Sequence, residues 1–296
     1  MTAEELKQIF GRAVPDKGKL QEIRLRAGKP VLVFLDGREY LVGREELLEA
    51  EGAVPEAMSP VLADPVLIRE ILGIFSRHSL YAFEDEIRQG FLTIEGGHRV
   101  GIAGKAVTEG SRLRTIKDIS SLNIRLAHEK PGCGDPVLPW LYENGRLQNT
   151  LILSPPGGGK TTLLRDLIRG LSDGTEELPC HRVSVVDERG EIAVMYQGIP
   201  QMAVGRHTDV LDACPKAVGI PILLRAANPQ IIAVDEITVR EDLLAMAAAA
   251  NCGVRFLATI HAAGRQELGR RPLFSQLLKV RVFEKAVTIR RKGGQR

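Results

Sequence analysis

Residues 150–162 read TLILSPPGGGKTT. An apolar run gives way to three glycines, a lysine and two threonines. Leu163, Leu164, Leu167, Ile168 and Leu171 then follow at the spacing of one helical face. A strand that turns through glycines into a helix leaves backbone N–H groups pointing back at the loop, where they can converge on phosphate oxygens. This pattern predicts a nucleotide-binding loop made of Pro156, Gly157, Gly158, Gly159, Lys160, Thr161 and Thr162. Lys160 would reach the β and γ phosphates, and Thr161 would place a hydroxyl on magnesium. In the usual spacing, Gly-x-x-x-x-Gly-Lys-[Ser/Thr], Ser154 stands where the first glycine is expected. The expected cofactors are therefore ATP and Mg.

Such a loop serves kinases, switches and motors alike, so its neighbours decide the chemistry. Ile231-Ile232-Ala233-Val234-Asp235-Glu236 is an apolar strand ending in two acids. Asp235 is placed to hold magnesium through water, and Glu236 to polarise a water that attacks the γ-phosphate. That glutamate favours hydrolysis over phosphoryl transfer to a small molecule. The segment 185–191 (VVDERGE) brings Asp187, Glu188, Arg189 and Glu191 to the end of another strand, the edge where ligands of open α/β sheets gather. Glu188 joins the catalytic candidates. Ala258-Thr259-Ile260-His261 ends a further strand, which makes His261 a candidate sensor of the γ-phosphate or the attacking water.

Working outward, near-continuous apolar runs at 151–153, 183–186, 231–234, 256–259 and 286–289 alternate with helical patterns. This predicts an α/β domain with a mainly parallel sheet covered on both faces. One helix is expected from about Arg240, with Thr238-x-x-Glu241 at its start and Gly253 closing it. The preceding part reads as a smaller α+β domain. Thr2-x-x-Glu5 opens a helix, 22–26 alternates as a strand does, and Asp36-Gly37 separates two apolar strands as a hairpin turn. Helices are expected at 66–75 and 80–89, and strands at 91–95 and 99–103 around Gly96-Gly97. Pro, Gly and charge cluster in AHEKPGCGDP at 127–136, giving domains 1–130 and 131–296.

Composition bounds the rest. A chain of 296 residues with 44% hydrophobic and 26% charged residues is long enough for two cores. A formal charge of +3 does not by itself imply a polyanion partner. Four scattered cysteines, Cys133, Cys180, Cys214 and Cys252, show no Cys-x-x-Cys pair, which fits reduced thiols. The amino terminus lacks the pattern of a signal peptide and no apolar stretch reaches membrane-span length, so a cytoplasmic location is expected.

Phosphate loop, acidic box, Asp-Glu strand and histidine box, in this order, make the second domain resemble the secretion-type ATPases of the RecA-like P-loop class. The approach 223–229 (LLRAANP) to the acidic strand resembles theirs as well. Marks over nearly the full length resemble more closely the stage III sporulation AA family, ATPases of the mother-cell side of a sporulation channel. These marks are 22–26 (EIRLR), 97–104 (GHRVGIAG), 120–125 (SSLNIR), 206–216 (RHTDVLDACPK) and Arg271-Pro272. Two positions depart from the pattern: Ser154 in the loop, and Thr238-Val239 where glycine and arginine are usual.

The resemblance implies a RecA-like fold and ATP hydrolysis. It also implies a membrane-embedded sporulation channel protein as partner, and hence a peripheral membrane location. Motors of this class bring an arginine to the γ-phosphate, often from a neighbouring subunit. Candidates are Arg99, Arg112, Arg114 and Arg125 in the first domain, and Arg206 and Arg225 in the second. The resemblance favours Arg99 and Arg125, presented across the boundary of a homo-oligomeric, hexameric ring. Two other functions compete: a nucleic-acid translocating ATPase and a non-hydrolysing nucleotide-gated scaffold. The basic cluster Arg290-Arg291-Lys292 with Arg296 fits a solvated tail. An aromatic content of 4% without basic–aromatic interleaving argues against a nucleic-acid partner.

Overall fold

The computed structural model describes residues 1–50, 59–77, 83–110, 112–262, 264–268 and 282–290. The chain forms two compact units, Met1–His128 and Glu129–Arg296.

The first unit is built on a seven-stranded antiparallel sheet. Its strands are β1 (Leu20–Arg26), β2 (Leu32–Leu35), β3 (Arg38–Val42), β4 (Leu47–Glu49), β5 (Phe91–Ile94), β6 (His98–Glu109) and β7 (Arg112–Arg125), in spatial order β4-β3-β2-β1-β7-β6-β5. Local chemistry sets its turns and caps. Helix α1 (Ala3–Ala13) begins with a reciprocal capping box, Glu5 N–H on the Thr2 hydroxyl at 3.2 Å and Thr2 N–H on the Glu5 carboxylate at 2.8 Å. Asp36 (φ 52°) and Gly37 (φ 81°) both take the left-handed conformation that a two-residue hairpin between β2 and β3 requires. Helix α2 (Pro65–Phe75) has proline in its first turn and the Asp64 carboxylate accepting the N–H groups of Val66 and Leu67. Helix α3 (Glu84–Gln89) ends at Gly90. Leu67, Ile68, Ile71 and Leu72 of α2 pack with Leu25, Val33, Leu92, Val100 and Leu122 of the sheet to form the core.

The hairpin of β6 and β7 is longer than the pattern at 99–103 predicts, and β7 has no counterpart among the expected strands. The physical reason is a register shift between Ala103 and Lys105. A Cβ on Gly104 would lie 2.6 Å from the Lys117 carbonyl oxygen, and Asp118 takes φ 45°. This irregularity breaks the period-two alternation, so Leu113, Ile116, Ile119 and Leu122 recur every third residue.

The second unit carries a six-stranded parallel sheet. Its strands are β8 (Thr150–Ser154), β9 (Val183–Asp187), β10 (Thr208–Asp212), β11 (Ile231–Val234), β12 (Arg255–His261) and β13 (Lys285–Thr288), in spatial order β10-β9-β11-β12-β8-β13. Alternate residues of the strands feed two cores. Ile152, Val185 and Ile231 meet Leu164, Leu167 and Ile168 of helix α4 (Lys160–Asp173). On the other face, Leu153, Val186 and Val234 meet Ile220 of helix α5 (Lys216–Ala226) and Leu243 and Met246 of helix α6 (Arg240–Ala250). Burial on both faces is why these strands read as unbroken apolar runs. Strand β10 has no counterpart among the expected strands. Among the described residues it pairs with β9 alone, and its TDVLD sequence interleaves acids with apolar residues. At α6 the expected box is displaced: the buried Asp242 carboxylate, and not Glu241, accepts the N–H groups of Thr238 (3.2 Å) and Val239 (3.4 Å). Glu241 is exposed. Among the described residues no helix is long and apolar enough to cross a membrane.

Close approach of α5 to β9 relies on Gly219, where a Cβ would fall 2.6 Å from Val186 Cγ1. Alanine favours a helix interior over glycine by about 1 kcal/mol. Gly219→Ala should nevertheless lower stability by about 1–3 kcal/mol through overpacking. Denaturant unfolding with an unchanged or raised midpoint would show that the contact does not constrain the fold.

Candidate nucleotide-binding site

The C-terminal ends of β8, β11 and β12 lie side by side, with β12 between the other two. Strand β8 runs into the loop at Ser154, which is fully buried and donates its hydroxyl to the Pro155 carbonyl at 3.1 Å. The Gly158 N–H reaches the same carbonyl at 3.1 Å and turns the chain back on itself. A Cβ on Gly158 would lie 1.9 Å from Ser154 Oγ. The serine that departs from the usual spacing thus fills the inside of the loop, and glycine is obligatory opposite it. Gly157 (φ 67°) and Gly159 (φ 89°) are left-handed. Gly159 caps α4 without any side-chain acceptor, so the first N–H groups of the helix are open to an anion.

Lys160, the first residue of α4, is buried to 7% exposure. Its Nζ lies 2.7 Å from His261 Nδ1, and His261 Nε2 lies 3.1 Å from Glu236 Oε2. Arg189 Nη1 approaches the same Glu236 oxygen at 3.4 Å. Lys160 Nζ thus sits against the His261 ring, whose Nε2 edge faces Glu236. Burial pushes the Lys160 pKa down, against the pull of Glu236, Asp235 and Glu191. Asp235 is itself buried and accepts the Thr259 hydroxyl at 2.9 Å. Around these groups opens a cleft of 480 Å³, lined by Pro156, Gly157, Gly159, Lys160, Thr161, Thr162, Arg189, Glu191, Asp235, Glu236 and His261.

Most of the expected site residues of the second unit therefore meet in one cleft. Glu188 does not line it. Its carboxylate pairs with Lys216 at the start of α5. The cause is the buried Asp187, which accepts the N–H groups of Glu191 (2.9 Å), Ile192 (3.0 Å) and Ala193 (2.8 Å) and so curls the turn after β9. From the other side Arg165 of α4 donates to the carbonyls of Glu191 (2.7 Å) and Ile192 (2.6 Å). The turn pinned in this way delivers Glu191 to the cleft, a position the linear motif does not reveal. Arg165 is visible in sequence only as a cation beside the apolar stripe of α4. A magnesium ion fits the donors present. Asp235 and Thr161 supply oxygen, and Mg²⁺ otherwise keeps phosphate oxygens and water around itself.

The arginine candidates are distributed differently. Arg99 and Arg125 are direct cross-strand partners on β6 and β7. Arg99 stacks 3.6 Å from the centroid of the Phe91 ring, and Arg125 pairs with Glu22 at 3.5 Å. Arg206 pairs with Asp173 at 3.3 Å, while Arg114 and Arg225 are exposed. The Arg112 side chain, Arg271-Pro272, Arg291, Lys292 and Arg296 lie outside the described residues.

Comparison with known proteins agrees with this architecture. A crystal structure of the pilus retraction motor PilT with bound ADP aligns with 97% of this chain and 78% of its own, at TM-score 0.61 and 16% identity. The Legionella pneumophila ATPase DotB aligns with 92% of this chain and 69% of its own, at TM-score 0.57 and 16% identity. These likenesses show a shared fold, a RecA-like α/β domain with a mainly parallel sheet preceded by an antiparallel α+β unit. Stage III sporulation protein AA of Bacillus subtilis (strain 168) is 38% identical over 93% of this chain and 84% of its own length. The family described as "Sporulation stage III, protein AA" matches residues 1–295, and this chain belongs to it.

Proposed function

We propose that this protein is a magnesium-dependent ATPase that energises or assembles a membrane channel complex during sporulation. In this reading it works as a head-to-tail homo-oligomeric ring, a hexamer, held at the membrane by a channel protein. The observation that carries the reading is the buried Lys160 ammonium. It has no ion-pair partner among the described residues; its hydrogen bond goes to the His261 ring, and Glu236, Asp235 and Glu191 act on it without direct contact. A buried cation without a direct ion pair is costly, and a triphosphate entering between the open N–H groups of α4 would supply one.

Each side chain then has a role set by its place. Lys160 exchanges His261 for phosphate oxygens, and the N–H groups at 157–162 hold the remainder. Thr161 and Asp235 would hold magnesium, which would supply neutralisation of phosphate charge. Thr259 fixes the orientation of the Asp235 carboxylate. Glu236 takes a proton from the attacking water, and His261, hydrogen-bonded to it, reports the arrival of phosphate at Lys160. Arg99 and Arg125 reach the site of a neighbouring subunit and stabilise the charge of the transition state.

Three tests separate these roles. Lys160→Ala should weaken binding of a fluorescent ATP analogue by about tenfold or more, the loss of a charge-assisted hydrogen bond. Unchanged affinity would remove the loop as the nucleotide site. Glu236→Gln should keep that affinity and lose about 10²–10⁴ in turnover, read as steady-state phosphate release. Equal turnover would take Glu236 out of the chemistry. Mixing Arg125→Ala subunits with Lys160→Ala subunits, each inactive alone, should restore part of the turnover, because some interfaces regain both elements. Sedimentation that finds a monomer with full turnover would sink the shared site.

A further inference from the structure

A cleft of 1060 Å³ opens in the first unit, lined among the described residues by side chains between Ala27 and Ser120. It opens between β7 and the helices α2 and α3 that pack against that strand. Among the described residues four cations line it, Arg69 from α2, Arg88 from α3, and Arg114 and Lys117 from β7, against one acid, Asp118. Arg69, Arg114 and Lys117 have no ion-pair partner among the described residues. In a chain whose formal charge is only +3, this is a concentrated positive patch. Leu72, Ile116 and Ile119 give the cleft apolar surface between the charges.

A second observation concerns the backbone. From Ser121 to Arg125, β7 is paired on both sides, with β1 and with β6. From Arg112 to Lys117 it pairs, among the described residues, with β6 alone, because β1 ends at Arg26 and Ala27 reaches only as far as Ser120, N–H to its carbonyl at 2.9 Å. The Arg114 carbonyl accepts Arg88 Nε at 3.3 Å. Half of a central strand is therefore an open edge beside a basic, partly apolar cleft. An open edge is a template for another strand.

We propose that this cleft takes an extended acidic segment of a partner protein, added as a strand along residues 113–119. Backbone hydrogen bonds to the edge supply strand pairing, and carboxylates on the segment meet Arg69, Arg114 and Lys117. Charge selects among occupants. The same cations repel a second copy of this edge, and among the described residues no aromatic side chain lines the cleft to stack a nucleic-acid base. The volume lies above the usual range of small-molecule sites, about 300–1,000 Å³.

The test uses the full-length protein and a fluorescein-labelled acidic peptide, EVETEVE, with KVKTKVK as its basic counterpart, read by fluorescence anisotropy. The acidic peptide should bind and the basic one should not. Arg114→Glu combined with Lys117→Glu should weaken binding by about tenfold or more, with Arg69→Glu as an independent variant outside the sheet. N-methylation of alternate peptide residues should weaken binding to the wild-type protein similarly, and hydrogen exchange should slow at 113–119 when the peptide is bound. No binding, equal binding of both peptides, or indifference to the charge reversals would overturn the proposal. Full binding of the N-methylated peptide would overturn strand addition. Displacement of the peptide by single-stranded DNA or phosphatidylglycerol vesicles with the same charge dependence would assign the cleft to polyanions instead. Self-association abolished by Arg114→Glu and Lys117→Glu would assign it to a second copy.

Discussion

A single buried ammonium organises the second unit. Lys160 stands at the first turn of α4, where the backbone already directs open N–H groups outward, so cation and helix terminus point at the same volume. The parallel sheet determines what can face it. Strands β11 and β12 end next to β8, which puts Asp235, Glu236 and His261 within reach of a lysine far from them in sequence. The His261 ring lies between Lys160 and Glu236 in the described state. In the proposed function, phosphate at Lys160 would compete with that contact, so binding and the disposition of Glu236 would be linked through one ring.

The acidic side of the cleft is set by two polar groups that hold the turn after β9, one within the turn and one from α4. Asp187 uses its carboxylate on three backbone N–H groups, and Arg165 uses its guanidinium on two carbonyls of the same turn. Burial lowers the Arg165 pKa, with Glu129 and Asp187 among the acids opposing that shift. Because α4 carries both Lys160 and Arg165, the phosphate loop and the acidic turn hang on one helix. A displacement of α4 therefore moves both sides of the cleft together.

What could be read from the chain divides along physical lines. The glycine loop was legible because its geometry is local: glycines for backbone curvature between a strand and a helix. The four buried strands β8, β9, β11 and β12 were legible because burial on both faces leaves unbroken apolar runs, and the half-exposed β13 because 286–289 still forms a short one. Strand β10 was hidden because an edge strand carries polar residues, and β7 because the irregularity at Gly104 and Asp118 turns a period of two into an apparent period of three. The displacement of Glu188 by Glu191 at the cleft was hidden for another reason. Side-chain direction there depends on a turn held by tertiary hydrogen bonds, and no spacing rule reports those.

The sheet of the first unit shows the same division between pattern and consequence. Alternation sends Leu25, Leu122, Val100 and Leu92 into the core and sends Arg24, Asn123, Gly101 and Phe91, in register, to the opposite face. The three segments 22–26, 97–104 and 120–125 thereby become neighbours on one surface. Glu22 serves both Arg24 and Arg125, while Arg24 and Arg99 lie over the rings of Phe34 and Phe91. An aromatic face attracts a guanidinium without neutralising it. Gly101, without a side chain, stands beside Asn123, whose buried Oδ1 has no hydrogen-bond partner among the described residues. Excess positive charge held on rings, with an acceptor left open among it, keeps guanidinium groups oriented yet available. That is the electrostatic condition an arginine must meet if it is to act on a phosphate outside its own unit.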